Sequence, residues 1–180
     1  MKNFLFVFLF LCSCGNKTTN TQNVVHKQQS SIGDNKHTSI SINTNNEIVK
    51  NIFNIDIFHS DTTTLKSIYK IRPTIKIINE KGIYDDNEYF TYVFETPNSV
   101  VKYFKNDEGF YIESALIKAN EIRLYKNIAI GMIKNDFCQQ LSINQTSCDT
   151  IVITDEDQFI NLNFIFYRDH LKELEIIAQE

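Results

Sequence analysis

Apolar and polar positions alternate with a period of two through most of the chain after residue 70, and that rhythm predicts strands. In 71–78, Ile71, Ile75 and Ile77 fall on one face against Arg72, Thr74 and Lys76. In 89–95, Phe90, Tyr92 and Phe94 share a face, and 99–105 returns after the turn Thr96-Pro97-Asn98. A second turn, Asn106 to Gly109, leads into 110–118, which the pattern pairs with 121–125 around Ala119-Asn120. Three more strands follow at 150–154, 159–167 and 171–178, separated by Asp155–Gln158 and Arg168-Asp169-His170. Within 159–167, Phe164 and Phe166 alternate with Asn163 and Ile165.

The period changes twice. Ile133, Phe137 and Leu141 recur every fourth residue, the mark of a short helix over 133–141. Leu65, Ile68 and Tyr69 follow a Ser60-Asp61 cap signal, which predicts a helix over 61–70. Residues 47–58 fit a helix or a strand. The expectation is an α+β fold: an antiparallel sheet with one or two short helices packed on one face. A helix followed by three strands occurs in 59–106 and again in 127–180, which suggests a duplicated unit.

The start of the chain reads differently. Met1-Lys2-Asn3 precedes Phe4–Leu11, an unbroken apolar run. A bilayer-spanning helix needs about 20 apolar residues, so this shorter run reads as a secretory signal peptide over 1–13. Leu11-Cys12-Ser13-Cys14 resembles the bacterial lipobox, with Leu at −3 and a small residue at −1. The resemblance implies that Cys14 is acylated and becomes the anchored N-terminus. Cys12 lacks a small residue before it and does not fit. Two or more acyl chains give stable anchoring. Gly15 is not the Asp that retains such proteins in the inner membrane of enteric bacteria, so the expected place is the outer membrane, on the periplasmic side. Abundant Ile, Asn and Lys suit the lipoproteins of Bacteroidetes, although the acidic run that marks their surface export is missing after Cys14. Residues 14–46 are then a lipidated cysteine and a polar, disordered tether spanning about 30 Å, and 47–180 form a single domain.

Composition narrows the partners. The formal net charge is −4 and the cations are dispersed, which argues against nucleic acid. Cys138 and Cys148 remain after processing, and an oxidising periplasm leaves two readings open. They form a disulfide worth roughly 2–3 kcal/mol, or they are two buried thiols. No His or second Cys pair lies at zinc-ligand spacing, so no metal is expected.

Residues 127–137 (NIAIGMIKNDF) resemble the helix-entry motif of small envelope lipoproteins. The BamE-like (SmpA/OmlA) family and the β-lactamase-inhibitor-protein-like domains share this helix-then-hairpin unit. Gly131, Met132, Lys134 and Phe137 carry the match, which extends over 127–178. The family's capping Ser or Thr is replaced by Ile133, so the cap must come from elsewhere, with Asn135 or Asp136 as candidates one turn late. The motif concerns packing and implies no chemistry.

Catalytic signatures are not evident. His26, His37, His59 and His170 lie in the tether or in turns. His59-Ser60-Asp61 has the residue types of a triad, but adjacent residues cannot converge as a triad requires; a helix cap explains them. Asp85-Asp86-Asn87-Glu88 and Asp155-Glu156-Asp157 lack the EF-hand offsets and read as solvated turns. No P-loop or dinucleotide fingerprint occurs, and no cofactor is expected. The sequence therefore points to a non-enzymatic, membrane-anchored lipoprotein that binds an envelope protein or helps maintain the envelope. The alternative is a carrier of a lipid or small apolar ligand, with Phe90, Tyr92, Phe94, Phe164 and Phe166 lining its cavity.

Overall fold

The computed structural model describes residues 25–26, 38–43, 47–81 and 88–179. They form a mostly-sheet α+β domain, richer in strand than the sequence suggests. The elements in chain order are β1 (Val25–His26), β2 (Ser39–Asn43), α1 (Glu47–Lys50), α2 (Thr62–Ser67), β3 (Thr74–Lys81), β4 (Glu88–Glu95), β5 (Ser99–Lys105), β6 (Phe110–Ile117), α3 (Lys134–Leu141), β7 (Thr150–Thr154), β8 (Ile160–Tyr167) and β9 (His170–Ala178). All strands join one sheet in the order β1-β2-β7-β8-β9-β6-β5-β4-β3, with the two-residue β1 at its edge.

One row of side chains explains why a single sheet forms. Ile75, Phe94, Val101, Ala115, Ile176, Leu162, Ile153 and Ile42 are directly opposed, strand by strand, from β3 to β2. All but Ile75 are buried. Directly opposed residues share a face, so the row defines the core side of the sheet. Leu65 of α2, its C-cap residue Ile68, and Phe137 and Leu141 of α3 belong to the same buried cluster, so these helices cover that face.

Two bulges keep the alternation in phase. In β6 the core residues are Phe110 and Ile112, then Ala115 and Ile117, a change of parity. Lys102 pairs with Ser114 and Tyr103 with Ile112, so Glu113 is the extra residue that resets the phase. In β9, Lys172 plays the same part between Leu171 and Leu174.

Several expectations need correction. The sheet is mixed, not antiparallel, because β2 runs parallel to β7. The folded part begins before residue 47: Ser39–Asn43 alternates Ile40 and Ile42 with polar residues, and Ile42 is buried. Pairing with the edge of β7 gives that segment a place to bury apolar surface, which a solvated tether lacks. There are three helices among the described residues, not one or two, since 47–58 opens with α1 before a series of turns. Residues 121–125 do not form a strand with 110–118. Ile122 makes an isolated bridge with Tyr69 instead, tying this segment to the end of α2. No helix among the described residues is long and apolar enough to cross a membrane.

Candidate functional site

The helix-entry motif is built by backbone contacts with the β8–β9 turn. Gly131 has φ +91°, a left-handed conformation that L side chains rarely adopt. Its N–H donates to the Leu171 carbonyl at 2.7 Å, and the Leu171 N–H donates to the Met132 carbonyl at 2.8 Å. Ile133 is the N-cap residue and supplies no side-chain hydrogen bond. The expected late cap from Asn135 or Asp136 is not formed. The Lys134 N–H instead donates to the Asp169 carbonyl at 2.7 Å, so a neighbouring turn does the work of a cap. Phe137 packs on Phe164 and Phe166 at 4.6 and 5.2 Å between ring centroids. Met132 is partly buried against the same core. The Lys134 ammonium lies 5.5 Å from the centre of the Phe166 ring and 3.2 Å from the Asp169 carboxylate.

Cys138 and Cys148 are both buried, and no bond joins them. Burial raises the Cys138 thiol, outweighing the nearby Lys134 charge and the Thr146 N–H that favour its thiolate. Cys14 and the signal segment 1–13 lie outside the described residues, as do His37, Asp85, Asp86 and Asn87.

A cleft opens where the sheet splits. β6 pairs with β5 over its whole length but with β9 only over Ser114–Ile117. Its first residues therefore lack a neighbour on the β9 side, and a cleft of about 580 Å³ occupies the gap. Val49, Ile57, Phe110, Ile112 and Ile160 give it an apolar lining, with Asp56, Asp155, Asp157 and Lys50 as its charged members. Sequence reasoning missed this cleft because it depends on where β9 stops pairing, which local pattern does not encode.

One wall of the cleft is held by Gly109. A Cβ there would stand 2.4 Å from the Phe58 carbonyl oxygen. Only glycine lets the Phe58 loop approach closely enough for the Phe110 N–H to donate to that oxygen at 3.3 Å. The Phe58 ring then packs edge-on against Tyr111, with centroids 5.3 Å apart. His59 Nδ1 lies 2.7 Å from Asp56 Oδ2, and that hydrogen bond holds the Asp56 carboxyl below its ordinary range. Ser60 Oγ donates to the Asp56 backbone carbonyl, not to His59. Asp61 caps α2, accepting from the Thr64 N–H at 2.6 Å. The three residues with triad chemistry thus take separate structural roles. Among the described residues, no three His, Cys, Asp or Glu side chains converge to hold a metal.

The sheet face opposite the core carries a second apolar patch. Val93, Val100, Phe104, Leu116 and Ile177 lie on it by register, with Val100 directly opposite Leu116. Cross-strand pairs frame them: Lys76 with Glu95 at 2.8 Å, Lys102 with Glu113 at 3.9 Å and Lys118 with Glu173 at 3.4 Å.

The aromatic residues expected to line a carrier's cavity are placed otherwise. Phe94, Phe164 and Phe166 are buried in the core, where Phe94 stacks with Tyr69 at 5.7 Å and meets Tyr103 edge-on at 5.3 Å. Tyr92 is half-buried against Phe110 at 5.1 Å. Phe90 is half-buried on the same side.

A scan of family models, a search of curated proteins and a search of solved structures each find no match to this chain.

Proposed function

We propose that this chain is a non-enzymatic lipoprotein, anchored through Cys14 on the periplasmic side of the outer membrane, that binds a protein partner or helps maintain the envelope. The open sheet face is the observation that carries the binding half of this reading. α2 and α3 pack on one side of the sheet, and the other side presents the exposed Ile177 with the half-buried Val100, Phe104 and Leu116 between charged pairs. Apolar centres within a polar frame are the usual anatomy of a protein contact. The anchoring half rests on the Leu11-Cys12-Ser13-Cys14 sequence.

The two halves have separate tests. Metabolic labelling with an alkyne fatty acid is expected to mark the native protein and not Cys14→Ala; an unlabelled native protein removes the anchor. Crosslinking in intact cells is expected to recover one envelope protein, and recovery is expected to fall when Val100 and Leu116 are replaced by Lys. Unchanged recovery moves the contact off this face.

The element order is consistent with a duplicated unit. In each half a helix is followed by three strands that run from the outer part of the sheet towards its centre, β3-β4-β5 and β7-β8-β9, with β6 between them.

The alternative, a carrier, is favoured by one feature only, the cleft between β6 and β8. Its volume lies within the range of about 300–1,000 Å³ usual for ligand sites. Its carboxylates select an apolar ligand bearing positive charge. Protection of Ile112 and Ile160 amides from exchange by such a ligand is the expected sign of this activity.

A further inference from the structure

The sheet ends at β3, which has no strand on its outer side among the described residues. An unpaired edge presents a row of backbone donors and acceptors ready to accept another strand. Ile77 and Ile78, which point to opposite faces, are 58% and 44% exposed, and Ile71 just before the strand is 42% exposed. At the start of β3, a groove of about 630 Å³ is lined by Lys66, Tyr69, Lys70, Arg72 and Ile75 among others, with no carboxylate in its lining. Lys66, Lys70 and Arg72 have no ion-pair partner among the described residues. The chain as a whole has a formal charge of −4, so this basic corner runs against the overall charge.

We infer that β3 accepts an extended acidic segment of another protein as an added strand, with the segment's carboxylates seated against Lys66, Lys70 and Arg72. The backbone edge supplies affinity that is independent of sequence. Ile77 and Ile78 receive alternate side chains of the incoming strand on the two faces. The three cations set the charge of the partner and the end of β3 at which that charge sits. This chain's own N-terminal segment does not fit, since residues 15–37 contain Lys17, Lys27 and Lys36 against Asp34 alone. The inference deepens the binding-module reading by naming a class of partner, but it uses the sheet edge, so it stands or falls separately from acylation and from the open face.

The test uses the full chain in detergent micelles with two synthetic peptides of alternating Val and Thr. One ends in three Asp residues and the other in three Lys residues. The acidic peptide is expected to slow amide exchange across 74–81, and the basic peptide is not. Lys70→Glu with Arg72→Glu is expected to weaken binding by about tenfold. Lys66→Glu, on a different element, is a second variant expected to act in the same direction. Equal binding of both peptides, or no protection of 74–81 by the acidic peptide at about 1 mM, overturns the proposal. Light scattering that shows a dimer whose 74–81 amides are protected without peptide also overturns it, because the occupant is then a second copy.

Discussion

The Lys134 ammonium lies 3.2 Å from the Asp169 carboxylate, yet only one of the two groups is inside the protein: the lysine side chain is 8% exposed and the aspartate 77%. The stem of Lys134 is therefore packing material at the mouth of α3, and the ion pair is largely screened. Lys134→Met keeps the stem and removes a charge that folding must desolvate, so stability is expected to stay within about 1 kcal/mol of the parent or to rise. Asp169→Asn leaves the ammonium without its carboxylate and is expected to cost about 0.5–1 kcal/mol, the scale of an exposed pair. Urea unfolding of the two variants checks the order. A large loss in Lys134→Met alone means that the charge itself is required.

Gly109 and Gly131 separate two reasons for glycine. At Gly109 an added Cβ meets backbone, so Gly109→Ala is expected to cost about 1–3 kcal/mol by forcing the Phe58 loop away. At Gly131 nothing lies within 4 Å of the added Cβ, and only the positive φ opposes it. Gly131→Ala is expected to cost about 1–2 kcal/mol. Hydrogen exchange distinguishes them: only Gly109→Ala should expose the Phe110 amide.

These two glycines also show what the sequence could convey. Gly131 belongs to a local motif, and its turn into α3 was readable from Gly131 to Phe137. Gly109 was readable as a turn residue, but its necessity comes from Phe58, far away in the chain. The same division holds elsewhere. Strands β5, β7 and β8 follow from alternation, because one of their faces is buried along most of its length, and β4 alternates as clearly although Phe90 and Tyr92 on its core face are only half-buried. Residues 121–125 alternate as well, but their neighbours are Tyr69 and the end of α2, and tertiary packing overrode the pattern. The cleft and the β3 edge are products of which strands stop pairing where, a property of the whole sheet.

The Tyr69 and Tyr103 hydroxyls sit inside the core, close enough to influence each other's ionisation, yet neither has well-formed hydrogen-bond geometry. Burial raises both phenols above their ordinary value near 10. A group raised on folding contributes stability that is complete below its unfolded value and is lost as the pH climbs towards the folded one. Stability is therefore expected to decline above about pH 10. Tyr103→Phe is expected to flatten that decline while changing neutral-pH stability by no more than about 1 kcal/mol, since the hydroxyl it removes is poorly satisfied. Thermal unfolding at pH 7 and pH 10.5 measures both effects.

The thiols give a redox test. With Cys138 and Cys148 both buried and free, neither is expected to react with a maleimide in the native protein, and both should react in guanidinium. Intact mass after periplasmic expression should match two thiols. A mass lower by two hydrogens would mean that the oxidising compartment closes the bridge.

Ile42 tests the expectation that the folded part starts at residue 47. It is 5% exposed and lies opposite Ile153, itself fully buried on β7. The strand that carries it is only five residues long and pairs in parallel with the edge of the second half of the sheet. Ile42→Ala removes buried methyl groups from a packed row and is expected to cost about 2–4 kcal/mol in urea unfolding. A tether residue would change stability by less than about 0.5 kcal/mol. Thr38 supplies a control at the same edge, because its carbonyl accepts from the Asp149 and Thr150 N–H groups at 2.9 and 3.2 Å while its side chain is not part of the row. Thr38→Ala keeps those backbone bonds and is expected to be near neutral. A near-neutral Ile42→Ala would return residues 38–43 to the tether and leave β7 as a second open edge of the sheet.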